Sequence, residues 1–248
     1  MNWKMKDKLI VVMFFLSPVV IWAQEAGFAG MPSDNVVHNY LAGANTYAAL
    51  YSGKTETPYE KRFTNHPYFE SNTFVSGTLC YNRVVYKDVL MRLDLFRNEL
   101  TVVSPDKPYP IVLNNEKFDY AMLAGATILP ADGDKKSEEK FLVLLHNGMY
   151  PVVRKYNVVM MEDISDLSII NSFRIQQQYA VYVAGVPNVV KNKNAVLKLF
   201  PDRRKELNEY AKRHKLNFRN QLEQSIIALV DHYESLTNAA SDNYPTLQ

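Results

Sequence analysis

The chain has 248 residues, with 28 Lys plus Arg against 26 Asp plus Glu, 47% hydrophobic residues and one cysteine. This composition is ordinary for a globular protein and supports a sizeable core. A lone cysteine excludes an internal disulfide and any zinc site built on cysteine pairs.

The first 23 residues predict a signal peptide. Lys4, Lys6 and Lys8 form a basic start, Leu9 to Trp22 is almost wholly apolar, and small Ala23 precedes Gln24. The apolar run is short of the roughly 20 residues a spanning helix needs, and Pro18 interrupts it. Cleavage after Ala23 takes both Trp residues with it. It also removes Lys4, Lys6, Lys8 and Asp7, leaving 25 basic and 25 acidic residues in the mature chain. The expectation is an exported protein, periplasmic or outer-membrane associated.

Residues 24–45 read as a loosely structured, flexible lead-in and 46–191 as a β-rich domain. Thr46 to Tyr51 reads as a first strand, and Lys54 to Pro67 as loop. From Phe74 to Leu129 short apolar runs alternate with turn residues, the mark of a β-meander. Val89, Met91, Leu93 and Leu95 fall on one strand face, with Arg92 and Asp94 on the other, as a cross-strand ion pair or a solvated face. Arg97-Asn98 and Asn114-Asn115 are turns, and Pro105 suits the second position of a type I turn. Residues 131–140 form a charged surface loop. Asn147-Gly148 between apolar runs is a hairpin signal. Tyr156 to Gln178 is ambiguous, with Asp166 to Phe173 open to a helical reading. Ala184-Gly185 joins a last hairpin.

After Asn192 the period changes. Residues 192–237 read as a helical segment packed on the sheet, beginning with a short helical turn at Ala195 to Phe200. A basic helix runs from Asp202 to Lys215. Phe218, Leu222, Ile226, Leu229, Tyr233 and Leu236 form the apolar stripe of a longer one, with Asn217 as its cap. Residues 238–248 are a frayed polar tail. The fold class is therefore α+β: an antiparallel β-sandwich or partly open barrel with a C-terminal pair of helices.

The C-terminal stretch LKLFPDRRKELNEYAKRHKLNFRNQLEQSIIALVDHYESL and the meander GTLCYNRVVYKDVLMRLDLFRNELTVV carry a resemblance. Together they resemble a secreted, cell-envelope-associated family of Bacteroidota in which a β-meander precedes basic C-terminal helices. The resemblance spans roughly residues 45–237. It implies an envelope location and transfers no catalytic motif.

The reactive groups form no recognised constellation. The five histidines (38, 66, 146, 214 and 232) are dispersed, and Asp132-Gly133-Asp134 lacks the offsets of a calcium loop. Glu162, Asp163 and Asp166 form a second acidic group, which a helix start also explains. Cys80 with His146 would make a thiol dyad, but Cys80 lies in a strand, where a free thiol is commonly a buried apolar group. No nucleophile elbow, paired-histidine metal motif or phosphate loop is present.

The one charge feature is basic. Lys191 to Arg219 holds ten Lys plus Arg against three acids. Lys198, Arg203, Arg204, Lys205, Lys212, Arg213 and Lys215 are the candidate surface for an anionic partner, such as lipid headgroups or an acidic protein patch. A solvated helix face is the simpler explanation. No cofactor and no nucleic acid is expected; peripheral membrane contact is compatible with the basic face. The function expected is non-enzymatic binding of another envelope protein. The alternatives are a β-cup for a small apolar ligand or lipid, and a hydrolase with an unrecognised site.

Overall fold

The computed structural model describes residues 50–104, 109–131, 140–165 and 168–241. The predicted signal peptide and lead-in lie outside the described residues. So do the Pro105 turn, most of the charged loop, the Asp132-Gly133-Asp134 group, Asp166 and the tail beyond residue 241.

Eleven strands make one antiparallel sheet: β1 (Lys54–Thr55), β2 (Val75–Tyr81), β3 (Val84–Asp94), β4 (Glu99–Val103), β5 (Ile111–Val112), β6 (Phe118–Leu123), β7 (Ala126–Pro130), β8 (Phe141–His146), β9 (Val152–Ser165), β10 (Ser168–Val183) and β11 (Val186–Val190). Their order is β1-β5-β4-β3-β2-β6-β7-β8-β9-β10-β11, so β1 and β11 are free edges and the sheet does not close. Three α-helices follow among the described residues: α1 (Lys193–Leu199), α2 (Arg204–Arg213) and α3 (Leu222–Ser241). The expected short turn at 195–200 is thus a helix, and the last helix runs four residues past 237.

The turns are those the strand twist requires. Asn82-Arg83, Ala124-Gly125 and Ala184-Gly185 each have two successive positive φ angles between paired strands, the geometry that matches right-handed strand twist. Asn147-Gly148 behaves otherwise. Five residues separate β8 from β9, and Gly148 is small because a Cβ there would lie 2.2 Å from the Glu234 carboxylate.

Two large apolar clusters, and a small third of Leu142, Val153 and Ala180, hold the described residues together. In the sheet, Val89, Met91, Leu93 and Leu95 are buried as their alternation predicts, with Leu79, Leu100, Val102, Ile128 and Phe141 around them. Two of the three register shifts between described strands modify the simple pattern here. One, between Gly77 and Leu79, lets Tyr86 and Val89 both face inward; the other, at Cys80/Tyr81, does the same for Phe118 and Ala121 and leaves Met122 55% exposed. The second cluster joins Val152, Val181 and Val190 to Phe200, Leu207, Ile226, Leu229 and Tyr233 of the helical cap. Phe200 stacks on Tyr233 at 4.0 Å, with Tyr150 edge-on to both. The cap is also tied down by charge. Arg154 Nη1 donates to Glu223 at 3.0 Å, and Glu234 accepts from the Tyr150 N–H at 2.8 Å while lying 3.1 Å from His146 Nε2.

Three expectations are corrected. Leu50 and Tyr51 are not strand; the first strand is β1, inside the predicted loop. Asp166 to Phe173 is not helical in its described part: β10 pairs with β9 continuously from Ser168 to Val181. A helical reading fails because cross-strand partners outweigh weak local preference. The C-terminal pair of helices is three. At the far edge Pro187 stands opposite Tyr182, whose own N–H donates the other way, to Pro151 O at 2.9 Å.

Candidate functional site

The basic cap divides into two parts. In α2, Leu207 and Ala211 are buried; at 100° per residue Lys205 and Lys212 then lie on the opposite side. Lys198, Arg204, Lys205, Lys212, Arg213 and Lys215 are all exposed, and Arg203, half-exposed, pairs with Glu206 at 3.3 Å. Among the described residues, none of the other six has a carboxylate within ion-pair distance. Only Lys212 and Lys215 of the seven line a surface cleft of about 490 Å³, together with Lys193, Arg219, Ala211, Leu216, Asn217 and Phe218. Lys193 and Arg219 lie outside the predicted set. Only the fold brings them in, because the chain after α2 turns back beside the start of α1.

That return is built locally. Leu216 N–H donates to Ala211 O at 2.9 Å and Lys215 has φ +51°, a left-handed helix ending that satisfies the last carbonyls. Asn217 Oδ1 then accepts from the N–H groups of Arg219 and Asn220. It caps the turn leading into α3 rather than α3 itself. Lys193 Nζ is oriented by Asn208 Oδ1 at 2.9 Å, a neutral acceptor that leaves its charge uncompensated. The cations at the end of α2 also oppose the partial negative charge of that terminus, which explains part of the clustering. Next to them, His232 stacks on Tyr210 at 3.9 Å; burial, then His214 and Arg213, lower its pKa.

A second concentration of charge lies under the sheet's aromatic flank. Asp94 is 2% exposed, so the expected solvated face is wrong at this position. Its Oδ1 accepts the N–H groups of Phe96 and Arg97, both at 2.9 Å, and its Oδ2 accepts from Tyr59 Oη at 2.6 Å. The carboxylate therefore holds the β3–β4 turn. Burial raises its pKa and the three donors oppose the rise. Tyr59 is raised too, by burial first and then by Asp94. Arg92 does not pair with Asp94. It grips Glu56 through two bonds of 2.9 Å, donates to Asn72 O at 2.7 Å, and lies between the rings of Tyr68 and Phe74 at 4.0 and 4.4 Å. The Asp94 and Glu56 carboxylates and the Tyr59 hydroxyl are each engaged in a structural contact.

The third feature was not foreseen. β8 meets β9 only between Val152 and Arg154, and β11 meets β10 only between Tyr179 and Val183. Beyond those points β9 and β10 continue as a two-stranded ribbon. Phe63 stacks on Phe173 at 4.3 Å, and Thr64 N–H donates to Asn171 O at 3.0 Å, so part of one ribbon face is covered. Past that cover the cross-strand partners Ile164 and Ile169 are 71% and 60% exposed. Ile170 and Val159, each 45% exposed, lie on the other face. Lys61 pairs with Glu162 at 2.6 Å beside them.

The thiol dyad does not assemble. Cys80 Sγ is 3.7 Å from Asp119 Oδ2, while His146 is engaged with Glu234. Burial, followed by the Asp119 charge, raises the Cys80 pKa, the opposite of what a nucleophilic thiolate needs. Among the described residues no group of three or more His, Cys, Asp or Glu is placed to hold a metal ion. None of their helices is long and apolar enough to cross a membrane. No protein-family model, curated protein or solved structure matches this chain.

Proposed function

We propose that this chain is a non-enzymatic exported protein of the periplasm or outer-membrane region that binds another envelope protein, and that the β9–β10 ribbon is its docking element. The observation that carries the reading is the exposed Ile164–Ile169 pair at the far part of the ribbon, with Ile170 beside it on the other face. Contiguous exposed apolar surface on a folded chain marks an interaction site. Glu162 and Asp163 interleave with these residues, which favours a protein groove with polar rims over the hydrocarbon of a bilayer. The resemblance to a secreted envelope family points to the same location.

The finer architecture proposed is a partly open barrel. Tyr68 bridges to Asp94 of β3 and Phe63 to Asn171 of β10. One irregular segment thus spans two strands that lie six places apart in the sheet order. The β-cup alternative is less favoured, because large side chains occupy the space between the sheet's inner positions.

The test uses mature chain, residues 24–248, as bait in a native envelope extract, followed by purification of the partner it captures. The partner should bind the Ile164→Ser/Ile169→Ser variant at least about tenfold more weakly than the parent, the size of a lost apolar hot spot. Recovery of no specific partner, or equal binding to both baits, overturns the reading.

A further inference from the structure

We infer that the cleft at the end of α2 is a binding site for a phosphate-bearing anion. This inference is independent of the ribbon. The cleft is about 490 Å³ and is lined by Lys193, Lys212, Lys215 and Arg219, with Leu216 and Phe218 as its apolar part. No acidic side chain lines it. Lys198, Arg204, Lys205 and Arg213 are likewise without a carboxylate in ion-pair distance among the described residues, but they do not line the cleft; Arg203 has Glu206 at 3.3 Å, and Arg154, beneath the cap, has Glu223 at 3.0 Å. Around the cleft the fold brings four cations together from α1, α2 and the chain beyond α2, separated in sequence by up to 26 positions, and supplies no counter-charge.

The chemistry of the lining selects the ligand. Three ammonium groups act as strongly hydrated point charges and one guanidinium offers a planar fork. That combination suits the several equivalent oxygens of a phosphate better than a single carboxylate, because each cation can take its own oxygen. Lys193 is held in position by Asn208 at 2.9 Å, so part of the ordering is complete before a ligand arrives. The apolar wall of Leu216 and Phe218 lies beside the cations, which allows the phosphate to carry an apolar or ring-bearing body. The same phosphoryl chemistry is presented by a lipid headgroup at a membrane surface and by a free phosphate.

Two arms distinguish those sources. In one, mature chain is sedimented with phosphatidylcholine vesicles containing phosphatidylglycerol, and with vesicles of phosphatidylcholine alone. In the other, inorganic phosphate is titrated while thermal unfolding is followed, with chloride matched for ionic strength. Four proteins are compared: the parent, a cleft variant (Lys193→Gln/Lys212→Gln/Lys215→Gln/Arg219→Gln), a control of equal charge change among exposed residues outside the helical cap (Arg62→Gln/Arg83→Gln/Lys117→Gln/Arg174→Gln), and Lys212→Glu alone. Lys212 is exposed on α2, so the single variant keeps the test open if the fourfold one does not fold. The inference expects binding in at least one arm, and the arm that responds names the source. Each removed charge should weaken vesicle binding about fivefold, giving a hundredfold or more for the cleft variant, with the control at least tenfold closer to the parent. Equal losses in the cleft and control variants would mean only diffuse attraction and would overturn the site. So would an absence of binding by the parent in both arms.

Discussion

Arg92 and Lys212 carry the same charge in opposite circumstances. Arg92 is 15% exposed at its side chain, pairs with a Glu56 that is 9% exposed, and is enclosed by two aromatic rings. Lys212 stands on the outward side of α2 with no carboxylate within ion-pair distance among the described residues. The first arrangement is a fastening: removing either partner strands a desolvated charge. The second contributes almost nothing to folding, because an exposed charge keeps its hydration whether or not the chain folds. A cation retained without a folding role is available for something else, and this is why the cap, not the aromatic flank, is the place to look for a ligand.

The largest expected effect tests the fastening. Arg92→Met should destabilise the mature chain by about 3 kcal/mol, the lower end for breaking a buried pair, read as a lowered urea midpoint. A loss under about 1 kcal/mol would mean that Glu56 finds water on its own and that the two regions do not differ as described. A smaller effect concerns the edge of the cap. The folded pKa of His232 lies below its ordinary value of 6.5, so the folded chain binds fewer protons there than the unfolded chain. Stability tied to this group is present above pH 6.5 and is lost as the pH falls from that value through the folded pKa. His232→Gln should flatten the fall in melting temperature between pH 7 and pH 5, whereas an unchanged slope would assign the fall to other groups. The smallest effect is the one that sharpens the contrast. Lys212→Gln should move the urea midpoint by the equivalent of no more than about 0.5 kcal/mol, since relief of repulsion and loss of the helix-end interaction offset each other.

Much of the framework was legible in the chain. The β3 alternation of Val89, Met91, Leu93 and Leu95 and the α3 stripe of Ile226, Leu229 and Tyr233 are periodic and long, and the structure buries them accordingly. What periodicity misreads is what a register shift or a distant segment decides. Met122 shares its sequence pattern with Phe118, yet a bulge at Asp119 of β6 turns one outward and the other in. Asp94 alternates like a surface residue, but residues 59–68 fold over it and Tyr59 supplies a donor from 35 positions away. The ribbon was obscured for a third reason: Val158 to Ile175 mixes polar and apolar positions on both strands, so neither a helical nor a strand period stands out. The basic helix was visible as composition. Its division into a cleft and an outer flank was not, because Lys193 and Arg219 join Lys212 and Lys215 only through the turn at Lys215–Asn217.

Pro187 sits at a point of β11 where the main chain looks away from its neighbour, and a proline there has no amide hydrogen to present. A second sheet arriving along that margin would find a missing donor at the second position of a five-residue row. At the opposite margin, β1 offers only two residues. The two terminal strands of the sheet are therefore poor templates for lateral pairing, at no cost to the interior.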